Sequence, residues 1–219
     1  MALSAQFRLA RLLGLLAACA LSACALAACG HVPVSTLWAL RNLDAGTLKP
    51  ALLRAAIRVP ETLEPQPGGV TLEIGSWRDG EETKHKVKFV LRETTSPADV
   101  EPLAGERRPG TRIYAFRVDP ADIPRIEAIQ AKSREEKAAA PGKTHGTLGV
   151  GAEACRRGDL PDGPVRMTTF IRTGAERDYL TLLENLDLRT AGAKDKSLDE
   201  ILPPCGKFAI RAEASEPRQ

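Results

Sequence analysis

The chain has 219 residues, 43% of them hydrophobic, with 31 Lys+Arg against 28 Asp+Glu for a formal net charge of +3. Two of the positive charges, Arg8 and Arg11, precede an uncharged N-terminal run, so the remainder carries a net charge near +1, and the pI of 8.6 gives no support for nucleic-acid binding. About 190 residues beyond that run suffice for one sizeable domain, and with aromatics at 4% its core has to be mainly Leu, Val, Ile and Ala.

The N-terminal run extends from Leu12 to Ala28, seventeen residues without a charge. A basic n-region, a short apolar stretch and small residues before a break follow the plan of a secretory signal peptide. A membrane span needs roughly 20 predominantly apolar residues. The run ends in Leu26-Ala27-Ala28-Cys29-Gly30, and this stretch resembles the lipobox of bacterial lipoproteins. The resemblance covers about the first 30 residues. It implies a diacylglycerol thioether on Cys29, cleavage between Ala28 and Cys29, and acylation, as with palmitate, of the new amino group. Leu21-Ser22-Ala23-Cys24 and Leu16-Ala17-Ala18-Cys19 fit the same pattern. A cut at Cys19 leaves an apolar stretch at the short end of the range, and a cut at Cys24 leaves an apolar decapeptide on the mature end. After Cys29 the sequence turns at once polar and proline-containing, as a tether would. Gly30 stands where an Asp would resemble an inner-membrane retention signal. The expected location is therefore the outer membrane, facing the periplasm.

Residues 29–52 read as a lipidated tether and docking segment, with Leu37, Leu40 and Leu43 at helical spacing. From Leu53 to Val59 apolar residues alternate with Arg54 and Arg58, the pattern of a half-buried strand. Pro60 to Gly69 reads as a loop. Val70–Arg78 and Glu81–Arg92 flank Asp79-Gly80, a dipeptide favoured by type I′ turns. With that turn, Val70 faces Phe89, Leu72 faces Val87, Ile74 faces His85 and Glu73 faces Lys86, which sorts apolar from charged residues on both strands. Lys84, Lys86 and Lys88 then form a basic row, either a docking surface for anionic headgroups or an acidic partner, or a solvated sheet face. Thr94 to Gly110 reads as a loop and Arg112 to Val118 as a strand. Asp119-Pro120 opens a helix, as N-cap and first helical residue, with Ile123, Ile126 and Ile129 along one side and Pro141-Gly142 beyond its end. Gly146–Cys155 is a strand candidate, Val165–Arg172 and Asp178–Leu188 a second antiparallel pair. Lys194–Ile201 suggests a short helix, and Lys207–Ala212 a last strand.

Three of the five cysteines lie in the N-terminal 29 residues, leaving Cys155 and Cys205. An exported chain with two such cysteines is expected to pair them. The alternative is a free nucleophilic Cys155 served by His145.

No catalytic motif rises above background. Gly142-Lys143-Thr144 lacks the earlier glycine and preceding strand of a phosphate-binding loop. The three histidines, His31, His85 and His145, show no metal-ligand spacing, and no serine sits in a nucleophile elbow. The expectation is thus an α+β, mainly β protein: a signal peptide over 1–28, one periplasmic domain over 53–213 and a polar tail over 214–219. The domain would hold an antiparallel, sandwich-like sheet with one long helix at about 119–139. Functionally the chain reads as a lipid-anchored envelope protein presenting a non-catalytic binding or scaffolding domain. It is held to the membrane through Cys29 and open to an envelope protein partner, without nucleic acid, cofactor or metal. A lipid-anchored periplasmic hydrolase with a loop-built site is the alternative.

Overall fold

The computed structural model describes residues 46–80, 85–174, 178–191 and 198–206. Cys29, the leucines before Gly46, Lys84, the expected strand at 207–212 and the tail lie outside them. Among the described residues seven strands are present: β1 (Arg54–Pro60), β2 (Leu63–Arg78), β3 (His85–Thr94), β4 (Thr111–Val118), β5 (Thr144–Arg156), β6 (Arg166–Arg172) and β7 (Leu180–Asp187). They form one sheet in the order β5-β2-β3-β4-β1-β6-β7, with every neighbouring pair antiparallel. The protein is mainly β, as the alternation predicts. In place of the expected sandwich-like arrangement there is a single curled sheet, whose two parts meet in β3: residues 85–90 pair with β2 and residues 91–94 with β4.

The sheet curls. Leu53, Ala55 and Ile57 share a core with Val70 and Leu72 of β2, although β3 and β4 separate β1 from β2 in the sheet. The helix α2 (Ile123–Ala139) lies against this core through Ile126, fully buried, flanked by Ile123 and Ile129. Burying one such side chain contributes about 1.5–3 kcal/mol. Asp119 caps the preceding turn (Pro120–Asp122) by accepting from the Ala121 amide at 3.1 Å, and Pro120 supplies a residue with no amide to satisfy. Beyond Ala139 the chain turns at Gly142, whose φ of +75° suits glycine. The segment before β1 also docks here: Gln130 donates to the Leu48 carbonyl at 2.9 Å and Arg134 to that of Gly46.

Central β1 is buried on both faces, contrary to the half-buried expectation. The reason lies in residues 94–110, expected as a loop. They fold into a helical turn, α1 (Pro97–Val100), followed by a 3-10 segment (Glu101–Glu106), and these cover the sheet face opposite α2. Leu103 there packs on Ala56, Ala115 and Phe170.

The first hairpin is confirmed as a pair, but its register differs by two residues. Leu72 faces Phe89, Ile74 faces Val87 and Glu73 faces Lys88. A two-residue slip leaves every side chain on the same face, so binary pattern alone cannot distinguish the registers. The strand also starts earlier than expected. Leu63, Glu64 and Pro65 pair with Arg156, Cys155 and Ala154, and an irregularity between Pro65 and Val70 absorbs the proline-glycine stretch. Gly69 sits there with space for no side chain: a Cβ would stand 2.9 Å from the Glu153 carbonyl oxygen. β6 and β7 pair as expected. Two short helices follow, α3 (Leu188–Ala191) and α4 (Leu198–Ile201), and the buried Leu202 joins a second cluster with Val59, Leu63 and Val165.

Candidate functional site

The sheet face opposite α2 carries the charged residues. Cross-strand pairing places Arg92 of β3 beside Arg117 of β4, Arg117 beside Arg54 of β1, and Arg54 beside Arg172 of β6. Four arginines therefore stand in one row across four adjacent strands. Neighbouring strands are about 4.8 Å apart and like charges directly opposite repel, so such a row requires anions.

The covering segment supplies one. Asp99, 4% exposed, accepts through Oδ1 from Arg54 Nε at 2.7 Å and Arg172 Nη2 at 2.5 Å, and through Oδ2 from Thr94 Oγ1 at 3.1 Å. Arg172 Nη1 also donates to the Ala98 carbonyl at 2.8 Å. Tyr179 donates its hydroxyl to the Asp99 carbonyl at 3.0 Å, with the Arg172 guanidinium 5.2 Å from its ring centroid. Burial pushes the Tyr179 phenol up to about 12, against the opposing pull of Arg172. Both oxygens of Asp99 are engaged, and Tyr179 stays neutral at ordinary pH. At the outer end of the row, Asp119 Oδ2 accepts from Arg92 Nε at 2.5 Å. The Ala121 amide, foremost, and the guanidinium of Arg92 hold the Asp119 carboxyl below its ordinary range.

Four residues along β1, on the same face, Arg58, 8% exposed, is held by the Glu106 side chain at 3.0 Å, the Glu106 carbonyl at 2.7 Å and Thr168 Oγ1 at 3.2 Å. Beyond it lies a groove of about 530 Å³ with Leu103 and Ile113 among its apolar lining and Arg107, Arg108 and Arg112 around it. That volume falls within the range of roughly 300–1,000 Å³ for small-molecule sites. Arg108 is tied back to the Gly105 and Arg107 carbonyls. Together the lining suits a ligand with an apolar body and an anionic end.

The residues nominated by sequence fall elsewhere. Lys86 and Lys88 are exposed on β3, and the first reaches Glu73 at 2.7 Å. The Lys86 hydrogen bond lowers the Glu73 carboxyl from its ordinary value. Cys155 and Cys205 form a disulfide with their Cα atoms 4.9 Å apart, and Glu64, itself paired with Arg157, lies beside it. The nucleophile alternative is overturned. Cys155 is bonded and 1% exposed, and His145 stands ten residues away on the same strand, about 33 Å at strand rise. His145 stacks instead on Trp77, with centroids 5.2 Å apart, and contacts Asp79 at 2.8 Å. Sequence reading missed Asp99, Arg172 and Tyr179. Arg54, Arg92, Arg117 and Arg172 are each visible in a strand, but only the strand order brings them into one row. Comparison with family models, curated proteins and solved structures returns no match.

Proposed function

We propose that the chain is a lipid-anchored cell-envelope protein, held through Cys29, that presents a binding or scaffolding domain in the periplasm. The observation that carries the reading is the Cys155–Cys205 bridge, since structural disulfides persist in oxidising compartments and are rare in the cytosol. The lipobox-like Leu26-Ala27-Ala28-Cys29 supplies the anchor, and Gly30 favours the outer membrane. A binding role accords with the arginine-lined groove and with an Asp99–Tyr179 cluster whose charges are fixed in place.

Intact mass of the membrane-extracted protein is expected to give an N-terminus at Cys29 bearing acyl chains. Replacing both Cys29 and Cys24 with alanine is expected to leave the chain unlipidated. A wild-type protein recovered without acyl chains would refute the anchor. Density-gradient fractionation tests the membrane, and co-sedimentation with inner-membrane markers would overturn the outer-membrane assignment.

A further inference from the structure

The covering segment 96–108 shields only part of the arginine-bearing face. On β3 the alternation places Lys86, Lys88, Val90 and Arg92 on that same face, exposed, in a line spanning six residues or about 20 Å. Val90 is 51% exposed, the large hydrophobic residue left open to solvent among the described residues. On neighbouring β2, Glu73 and Trp77 share this face by alternation. At the Arg92 end the line turns into the cross-strand row and reaches the exposed Arg117.

Charge on this strip is unbalanced. Glu73 serves Lys86, and Asp119 serves Arg92 with one oxygen and the Ala121 amide with the other. The side chains of Lys88 and Arg117 form no salt bridge among the described residues, and act on Glu73 and Asp119 only through space. Four cations against two carboxylates leave an excess of two positive charges, around an exposed valine and bordered by a tryptophan.

Position gives the strip a partner. Arg54, the first residue of β1, lies beside Arg117, and the segment leading into it runs along α2 through Leu48 and Gly46. The chain from Cys29 therefore reaches the domain along α2, at Gly46 beside Arg134 on the sheet face opposite the strip, and passes into β1 at Arg54, beside Arg117. The eighteen residues from Cys29 to Gly46 can span at most about 60 Å, so an anchored domain stays within reach of the bilayer. A basic surface with an apolar residue and a tryptophan matches the headgroup layer of an anionic membrane, where tryptophan concentrates and each cation adds attraction.

We propose that Lys86, Lys88, Val90, Arg92 and Arg117 form a docking surface for anionic phospholipid, which orients the anchored domain against the membrane. This deepens the lipid-anchor reading and rests on it for the nearness of the bilayer. Its test reads docking separately from anchoring, which the mass of the extracted protein reports.

The full chain carries two tryptophans, so Trp38→Phe leaves Trp77 as the sole reporter. This chain, attached to vesicles by its own N-terminal segment, is measured for Trp77 quenching by brominated lipid. Quenching is expected in vesicles containing phosphatidylglycerol, but not in pure phosphatidylcholine, and it should weaken with added salt. Lys88→Gln and Arg117→Gln are each expected to lower the docking equilibrium about fivefold, and together about 30-fold, with the melting temperature unchanged. Quenching that is absent with phosphatidylglycerol, or equal in the two lipids, would overturn the proposal. Binding of poly-glutamate in place of vesicles would reassign the surface to an acidic protein. A failed lipidation shows in the mass of the extracted protein and leaves this result standing on its own.

Discussion

At the level of single residues, the fold places its largest electrostatic demand on Asp99. Its carboxylate offsets Arg54 and Arg172, whose side chains are 16% and 7% exposed, so neither guanidinium can turn fully into water. Removing one partner of a buried ion pair leaves uncompensated charge, a loss of about 3–5 kcal/mol. Asp99→Asn is expected to lose that amount in urea-denaturation measurements, and a loss below about 1 kcal/mol would mean that the arginines escape to solvent. Tyr179 adds a pH dependence of known sign. Its phenol ionises at about 12 in the folded protein against an ordinary value of 10.0, because burial disfavours the phenolate. The raised value means that its stabilising contribution is complete below pH 10 and is lost as pH rises through about 12. Absorbance titration of phenolate should therefore show a late transition that Tyr179→Phe abolishes, leaving Tyr114, the chain's other tyrosine. Persistence of that transition in the variant would assign it elsewhere.

At the level of elements, legibility followed the length and regularity of the pattern. The Ile123, Ile126 and Ile129 spacing and the Asp119-Pro120 start disclosed α2, because capping and periodicity are both local. Alternation disclosed β1, β4, β6 and β7, but it could not say that β1 is covered twice. That depends on α1 and the following 3-10 segment, which are short, proline-rich and without a periodic face of their own. Arg54 and Arg58 read as solvent residues for the same reason. Their partners Asp99 and Glu106 lie 45 and 48 residues away in a segment that reads as loop. The hairpin shows a different limit. Leu72 is opposite Phe89 rather than Val87, a slip that preserves both faces and leaves Lys86 to reach Glu73 diagonally. Diagonal neighbours on a sheet face lie within reach of a long side chain, so the same ion pair forms under either register. The candidate site was legible only as its parts. Lys86 and Lys88 stood out as a run, whereas the arginine row belongs to the strand order.

For the molecule as a whole, the disulfide decides how the chain's last described segment is held. Cys205 donates its amide to the Arg156 carbonyl at 3.0 Å, and the Arg156 amide donates to Pro203 at 2.9 Å, a short parallel pairing alongside β5. Leu202, immediately before it, is buried against Val59, Leu63 and Val165. The bridge thus fastens a segment that makes few hydrogen bonds of its own onto an edge strand of the sheet. With the cysteines 50 positions apart in sequence, the chain-entropy model gives a stabilisation of about 4 kcal/mol, arising from a more restricted unfolded chain. Cys155→Ala with Cys205→Ala is expected to lose about that much in urea unfolding. The denaturant dependence should steepen, because the unbridged unfolded chain exposes more surface. Hydrogen exchange adds a local expectation: the amides of Arg156 and Cys205 should lose protection, while those of central β1 hold until global unfolding. Equal stability of the bridged and unbridged proteins would mean that the apolar contacts of Leu202 alone secure this end, and the chain would then owe its fold to the sheet rather than to its cysteines.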